Sequence, residues 1–287
     1  MKPRSSQLSP PIVLTFAASD PSGGAGMQAD LMTISSIGCH PLSVTTALTV
    51  QDTVGVDSVL AVDADCVEDQ ARTLLEDMPV SAFKVGLLGS LENIAVIAGI
   101  VADYPAVPLV LDPVLASGRG DELADEEMIT GLRELLMPLT TILTPNSLEA
   151  RRLVDGNRDG TDDETDPLSP TLVECAQSLL DLGCEYVLLT GTHDNTVRVI
   201  NNLYRKGLGL VRSDAWDRLP DSYHGSGCTL ASAIAANLAH GLSMDEAVGA
   251  AQEYTWQALV AGFRPGMGQF LPDRFFRIRA RRGGFDD

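Results

Sequence analysis

Small and polar residues, His224-Gly225-Ser226-Gly227, run directly into Cys228-Thr229 and then into an Ala/Leu/Ile-rich segment with helical spacing that stops at Gly241. A glycine turn that opens a buried helix is an anion site, because the unpaired N–H groups of the first turn and the helix dipole point at whatever sits there. Cys228 stands where that dipole acts most strongly, so the sequence predicts a thiol pKa below the ordinary value. An ordinary buried cysteine at the start of a packed helix has the same local sequence. Spacing alone leaves both readings open.

Two further groups fall at the predicted carboxyl ends of strands, where open α/β sheets bind ligands. Asp112-Pro113 follows the apolar run Val107–Leu111, and Asn146 and Glu149 follow Thr141–Leu143. Carboxylates and a carboxamide at the mouth of a parallel sheet, opposite an anion-binding helix, suit a Mg²⁺–nucleotide site, since Mg²⁺ takes oxygen ligands, keeps waters and bridges phosphates. Taken singly, Glu149 reads as a helix surface charge and Asp112 as a turn former. Together with the glycine-rich helix start they point to phosphoryl transfer. The chain has no Gly-x-x-x-x-Gly-Lys-Ser/Thr loop and no kinase-type glycine loop followed by Val-Ala-Ile-Lys, so neither of those architectures is available.

The elements that must carry these groups alternate. Ile12–Ala18 is a continuous apolar run of strand length, ending in the dense loop signal Ser19–Gly26, and a helix follows from about Met27 to Ile37. Extended segments at Leu42–Val50 and Asp57–Val62 precede a helix over Asp65–Asp77. Then come strand Ala82–Val85, helix Leu91–Ala102, strand Val107–Leu111, helix Asp125–Leu136, strand Thr141–Leu143 and helix Ser147–Val154. After the acidic stretch Asp155–Leu168, read as a surface loop, the pattern gives helix Pro170–Leu182, strand Tyr186–Leu189 and extended segments Val197–Tyr204 and Leu208–Ser213. A last helix over Met244–Ala261 starts at Ser243 with Glu246 three residues on, a capping box. Strands alternating with helices predict a mainly parallel sheet covered on both faces. We read residues 1–287 as a single domain, with tails at 1–10 and 264–287. The tail sequence RFFRIRARR is expected to pack its aromatics on the body and solvate its charges.

A formal net charge of −19 over 287 residues disfavours nucleic acid and anionic membrane as partners, since both require basic surface. No apolar run is long enough for a membrane span, and the N-terminus has no apolar signal region, so a soluble, cytoplasmic chain is expected. Five scattered cysteines without a CxxC pair argue against a disulfide framework and a zinc site. Lys2, Lys84 and Lys206 are the only lysines, so a cation for phosphate must come from these, an arginine or a metal.

Four motifs, Ala-Ser-Asp-Pro-Ser-Gly-Gly-Ala-Gly-Met-Gln-Ala-Asp (18–30), Leu-Asp-Pro-Val (111–114), Thr-Pro-Asn-Ser-Leu-Glu-Ala (144–150) and His-Gly-Ser-Gly-Cys-Thr-Leu (224–230), stand in order along the chain. In order and spacing they resemble the hydroxymethylpyrimidine/phosphomethylpyrimidine kinases of thiamine biosynthesis, members of the ribokinase-like superfamily. The resemblance covers roughly Val13 to Gly262. It implies a three-layer α/β/α sandwich, ATP with Mg²⁺, and phosphorylation of 4-amino-5-hydroxymethyl-2-methylpyrimidine and then of its monophosphate. It also implies a homodimer. By the same resemblance Asp30 and Gln51 look like pyrimidine-binding groups, and a carboxamide does offer the donor–acceptor pair that an aminopyrimidine edge needs. Ala18 matches a position usually Gly, close to the ring. Asp112 and Glu149 look like Mg²⁺-side carboxylates, and Asn146, Thr190 and Gly191 fall beside the nucleotide. Gly225, Ser226 and Gly227 resemble the anion hole, and Cys228 occupies a position where most of the superfamily has a catalytic Asp. We expect Cys228 to be the base for the alcohol step and mainly a positioning group for the already ionised monophosphate.

The chain departs from the family pattern where lysines are expected. Ser117-Gly118-Arg119-Gly120 stands where Ala-Lys-(Ser/Gly)-Gly is common, and Thr190-Gly191-Thr192-His193 replaces Lys-Gly-Gly-His. Arg119, on a Gly-flanked segment with the composition of a mobile flap, is the expected substitute, with Lys84 second. Pyridoxal kinase activity and a non-catalytic pyrimidine binder are the rival readings.

Overall fold

The computed structural model describes residues 9–117, 120–155, 170–192 and 196–282. The chain alternates as its pattern requires: β1 (Ile12–Ser19), α1 (Gly26–Ile37), β2 (His40–Gln51), β3 (Val56–Ala61), α2 (Ala64–Asp77), β4 (Ala82–Val85), α3 (Leu91–Ala102), β5 (Leu109–Leu111), α4 (Glu126–Gly131), β6 (Ile142–Leu143), α5 (Ser147–Asp155), α6 (Leu172–Asp181) and β7 (Tyr186–Thr190). An antiparallel pair, β8 (Arg198–Arg205) and β9 (Gly209–Asp217), precedes α7 (Ser226–Ala239), α8 (Met244–Val260) and α9 (Phe276–Arg282).

The described strands form one sheet in the order β3-β2-β1-β4-β5-β6-β7-β8-β9. From β2 to β7 every pairing is parallel, while β3, β8 and β9 join antiparallel. The chain moves outward from β1 to β3 and then returns to β4 on the other side of β1. That reversal opens a crevice at the carboxyl ends of β1 and β4, the usual ligand position in such sheets.

Period-two alternation then assigns side chains to layers. Leu14 and Phe16 of β1, Phe83 and Val85 of β4, and Leu109 and Leu111 of β5 join the core under α2, α3, α5 and α6. Val13, Ala82 and Val110, on the opposite face, join α1, α7 and α8. This is the expected three-layer α/β/α arrangement. Thr15, Lys84 and Asp112 follow the second parity, so three polar groups are delivered into the layer that holds α1 and α7.

The helix expected over 125–136 remains α-helical only to Gly131; a π turn at Leu132–Leu136 and a 3₁₀ turn at Met137–Leu139 complete it. Pro138, which has no N–H to donate, stands in that final turn. The Ser243–Glu246 capping box is present, and a second joins Thr171 and Glu174.

Candidate active site

Two glycine loops meet at the crevice. Asp20 organises the first, accepting the N–H of Ser22 at 2.8 Å and of Ala25 at 2.7 Å. Its Oδ2 also lies 2.9 Å from His224 Nε2 in the second loop. Burial alone would raise the Asp20 pKa, but the hydrogen bonds from His224, Ser22 and Ala25 hold it below the ordinary carboxylate value. Two glycines make the approach possible. Gly26 has φ +54°, and a Cβ there would lie 2.4 Å from the Ala18 carbonyl oxygen. Gly225 has φ +80°, and a Cβ would come within 2.0 Å of the Gly24 oxygen. No L side chain fits the second position. Gly225 is the residue from which α7 starts, so the first N–H groups of α7 are unblocked by any cap side chain.

Beneath the loops lies a buried charged cluster. Asp30 is fully buried: Oδ2 accepts Thr15 Oγ1 at 2.7 Å and Lys84 Nζ at 3.0 Å, and Oδ1 accepts Ser232 Oγ at 2.7 Å. Asp30 therefore has no surface for a pyrimidine, which corrects the role expected of it. It is the counter-ion of Lys84, whose Nζ also stands 3.8 Å from Asp112 Oδ2. Burial would lower the Lys84 pKa, but Asp30, Cys228 and Asp112 carry it above the usual lysine range. A Cβ on Gly86 would lie 2.7 Å from that ammonium, so glycine leaves room for it.

Asp112 is different in kind. Its Oδ2 is buried without a hydrogen-bond partner, and burial together with Asp30 raises its pKa against the pull of Lys84. Glu149 beside it is pushed up to about 8, first by burial and then by the Asp112 carboxylate. Cys228 is likewise raised, by burial and by Asp112. The lowered thiol pKa expected from the helix dipole is overturned: desolvation and an adjacent carboxylate outweigh a half-charge dipole. Two desolvated carboxylates, one with a vacant oxygen, fit a hard cation. No trio of His, Cys, Asp or Glu suited to metal binding occurs among the described residues, and Mg²⁺ characteristically takes one or two carboxylates plus phosphate and water.

Asn146 and Glu149 also cap α5 reciprocally. Asn146 Oδ1 accepts the Glu149 N–H and Glu149 Oε2 accepts the Asn146 N–H, both at 2.9 Å. The spacing read as nucleotide chemistry is thus a capping box as well.

A cavity of about 560 Å³ joins these parts. Ala18, Thr49, Gln51 and Cys228 line one end, Gly225, Ser226, Gly227, Asp112, Asn146 and Glu149 the middle, and Thr190, Asn201, Trp216, Gln252 and Trp256 the other end. Gly191 is not on this wall: its N–H donates to Asn201 Oδ1 at 3.2 Å, and its carbonyl accepts Arg218. Asn201 Nδ2 donates to Gln252 Oε1 at 2.9 Å, Trp216 Nε1 to the same oxygen at 3.0 Å, and Gln252 Nε2 to Asp214 Oδ2 at 2.8 Å. Sequence reading missed this network because it ended the last strand at Ser213, and it missed Arg274, which is 3 % exposed rather than solvated. No local pattern marks either. Gly118 and Arg119 of the expected flap lie outside the described residues, as does most of the acidic stretch 155–168.

The comparisons with known proteins agree with this geometry. The family model described as phosphomethylpyrimidine kinase matches residues 20–273. A hydroxymethylpyrimidine/phosphomethylpyrimidine kinase of Streptomyces coelicolor is 40 % identical over 268 residues, 91 % of this chain and 93 % of that protein. Among solved structures, the phosphomethylpyrimidine kinase of Clostridium difficile superposes with TM-score 0.71 at 34 % identity, covering 87 % of this chain and 99 % of that one. The pyridoxal kinase of Staphylococcus aureus in complex with AMP-PCP and pyridoxal gives TM-score 0.81 at 28 % identity, covering 94 % and 96 %. With its ribokinase-like fold, its two opposed glycine loops and a family model spanning most of its length, the chain belongs to the phosphomethylpyrimidine kinase family.

Proposed function

We propose that this chain uses ATP to phosphorylate 4-amino-5-hydroxymethyl-2-methylpyrimidine and then its monophosphate, as an enzyme of thiamine diphosphate biosynthesis. The observation that carries the reading is the vacant Asp112 oxygen beside the uncapped start of α7, between the two ends of one cavity. A buried carboxylate oxygen with no hydrogen bond, facing an anion-binding helix end, suits a cation and a transferring phosphoryl group.

The pyrimidine belongs at the Ala18, Thr49 and Gln51 end, where the Gln51 carboxamide can pair with the ring edge. The nucleotide belongs at the Thr190, Asn201 and Trp216 end, with Asn146 between. Mg²⁺ would be held on the side of Asp112 and Glu149, where it supplies neutralising charge to the phosphates. The N–H groups of Gly225 to Cys228 face the phosphoryl group. Cys228, kept as a thiol beside Asp112, bridges acceptor and carboxylate. As the hydroxymethyl oxygen attacks the γ-phosphorus and the bond to ADP breaks, its proton passes to Sγ while the thiol proton passes to Asp112. The monophosphate acceptor is already ionised and needs only the positioning. Cys228→Ser is therefore expected to cost at least about tenfold more on the alcohol than on the monophosphate, a general acid–base difference read from the two turnover rates; equal losses contradict the division. The homodimer implied by family resemblance is part of the same reading and is checked by light scattering on the purified chain. No helix among the described residues is long and apolar enough to cross a membrane.

The reading is tested by following the product by mass with ATP in excess. Hydroxymethylpyrimidine should become the monophosphate and then the diphosphate in sequence. A bound but unchanged pyrimidine would make the chain a binder.

A further inference from the structure

Arg274 follows α8 and lies just beyond the segment matched by the family model. Its guanidinium is buried at 3 % exposure and spends its donors on the two glycine loops. Nε donates to Thr229 Oγ1 at 3.0 Å, Nη1 to the Gly23 carbonyl at 3.4 Å, and Nη2 to the carbonyls of Gly24 and, at 3.4 Å, Gly225. Thr229 Oγ1 itself donates to the Gly225 carbonyl at 2.7 Å. The backbone of Arg274 is anchored in turn, since Tyr254 of α8 donates to its carbonyl at 2.7 Å. The fork therefore grips the residue from which α7 starts and the turn of the opposite loop at once.

The described lysine and arginine on the cavity wall are committed elsewhere. Lys84 is held between Asp30 and Asp112, and Arg218 donates to the carbonyls of Gly191, Thr192 and Thr196. Arg274 stands on the protein side of the first α7 turn, where a positive charge adds to the helix dipole without occupying ligand space.

We propose that Arg274 is a positioning residue for phosphoryl transfer. It fixes the Gly225 carbonyl, and with it the N–H groups of the first α7 turn, against the Gly23–Gly24 turn, and it places a cation behind the phosphate-receiving helix end. The inference rests on reading the start of α7 as that end. Rigid placement of such donors is worth most in the transition state, so the loss should fall on turnover rather than on substrate affinity.

The experiment compares kcat and both KM values for the full chain, R274Q, R274K and a control, G227A. A Cβ at Gly227 meets only Asp112 Oδ1, at 3.7 Å, so G227A should fold while crowding the phosphate position. We expect R274Q to lose about tenfold or more in kcat with each KM within about twofold, and R274K, which keeps the charge but not the fork, to fall between R274Q and the unaltered chain, even though both lower the melting temperature. Folded R274Q with full turnover, or R274K as slow as R274Q, would overturn the proposal. G227A separates the two layers of the reasoning: an active G227A removes the phosphate-site reading and this inference with it, whereas an inactive G227A beside a fully active R274Q removes this inference alone. Should R274Q not fold, T229V takes its place, since it deprives Nε of its acceptor while leaving the charge. It should lower kcat about threefold or more at constant KM, and unchanged kcat would overturn the proposal.

Discussion

Two regions of the cavity, its middle around Asp112 and its Trp216 end, treat buried polarity differently. At the Trp216 end every polar group described has its partner: Asn201, Trp216 and Asp214 all meet at the Gln252 amide, and Arg212 closes the network on Asp214 and Asp245. In the middle, around Asp112, a carboxylate oxygen is left without a hydrogen bond, a neighbouring glutamate is pushed to about 8, and a thiol is raised above its ordinary range. A saturated network holds a wall in shape. An unsaturated one marks where charge from outside is to be received, because a folded chain rarely leaves a buried carboxylate oxygen without a hydrogen bond unless function calls for it.

Substitutions in the two regions should therefore fail in opposite ways. The largest effect is expected from Asp112→Asn, which should lower turnover by about 10²–10³ while changing the melting temperature little, since Asp112 Oδ2 makes no hydrogen bond and its ion partner Lys84 stands 3.8 Å away. Lys84 keeps Asp30 as its partner in that variant. A stability loss matching the activity loss would erase the distinction. Gln252→Leu should do the reverse. It strands the Asn201 and Trp216 donors, while Asp214 keeps Arg212, and is expected to cost about 1–3 kcal/mol of stability, with a raised KM for ATP and turnover within about threefold, checked by thermal melts beside steady-state kinetics.

A smaller effect sharpens the contrast through pH. Glu149 has a folded pKa of about 8 against an ordinary 4.5, so between those values the folded chain holds a proton that the unfolded chain has released. Stability present below pH 4.5 is thus lost as pH rises through 8. Melting temperature should decline across that window, and Glu149→Gln should flatten the decline. An unchanged slope in the variant would place the titrating group elsewhere.

How much of this was legible in the sequence differs between the same two regions. The glycine loops and the strand-end carboxylates could be found because their signals are local: Gly225 and Gly26 stand where the backbone must turn sharply, and Asp112 and Glu149 follow apolar strand runs. The alternation of strands and helices gave the layered sheet for the same reason. Burial is not local. Asp30 read as a ligand group because nothing in residues 18–30 shows that Thr15, Lys84 and Ser232 will enclose it. The Cys228 expectation failed because a dipole can be read from a helix start, while the desolvation that outweighs it comes from distant strands. The Gln252 network joins residues from 201 to 252 across three elements, and Arg274 reaches back some 250 positions to Gly24.

The most direct measurement is kcat/KM for ADP release with hydroxymethylpyrimidine, its monophosphate and pyridoxal compared as acceptors under identical Mg²⁺–ATP. The structure and family membership lead us to expect turnover concentrated on the two pyrimidines, with Gln51 and the Cys228 position serving the acceptor. A preference for pyridoxal would contradict the assigned substrate while leaving the phosphate site in place, and no turnover with any of the three would contradict the enzyme itself.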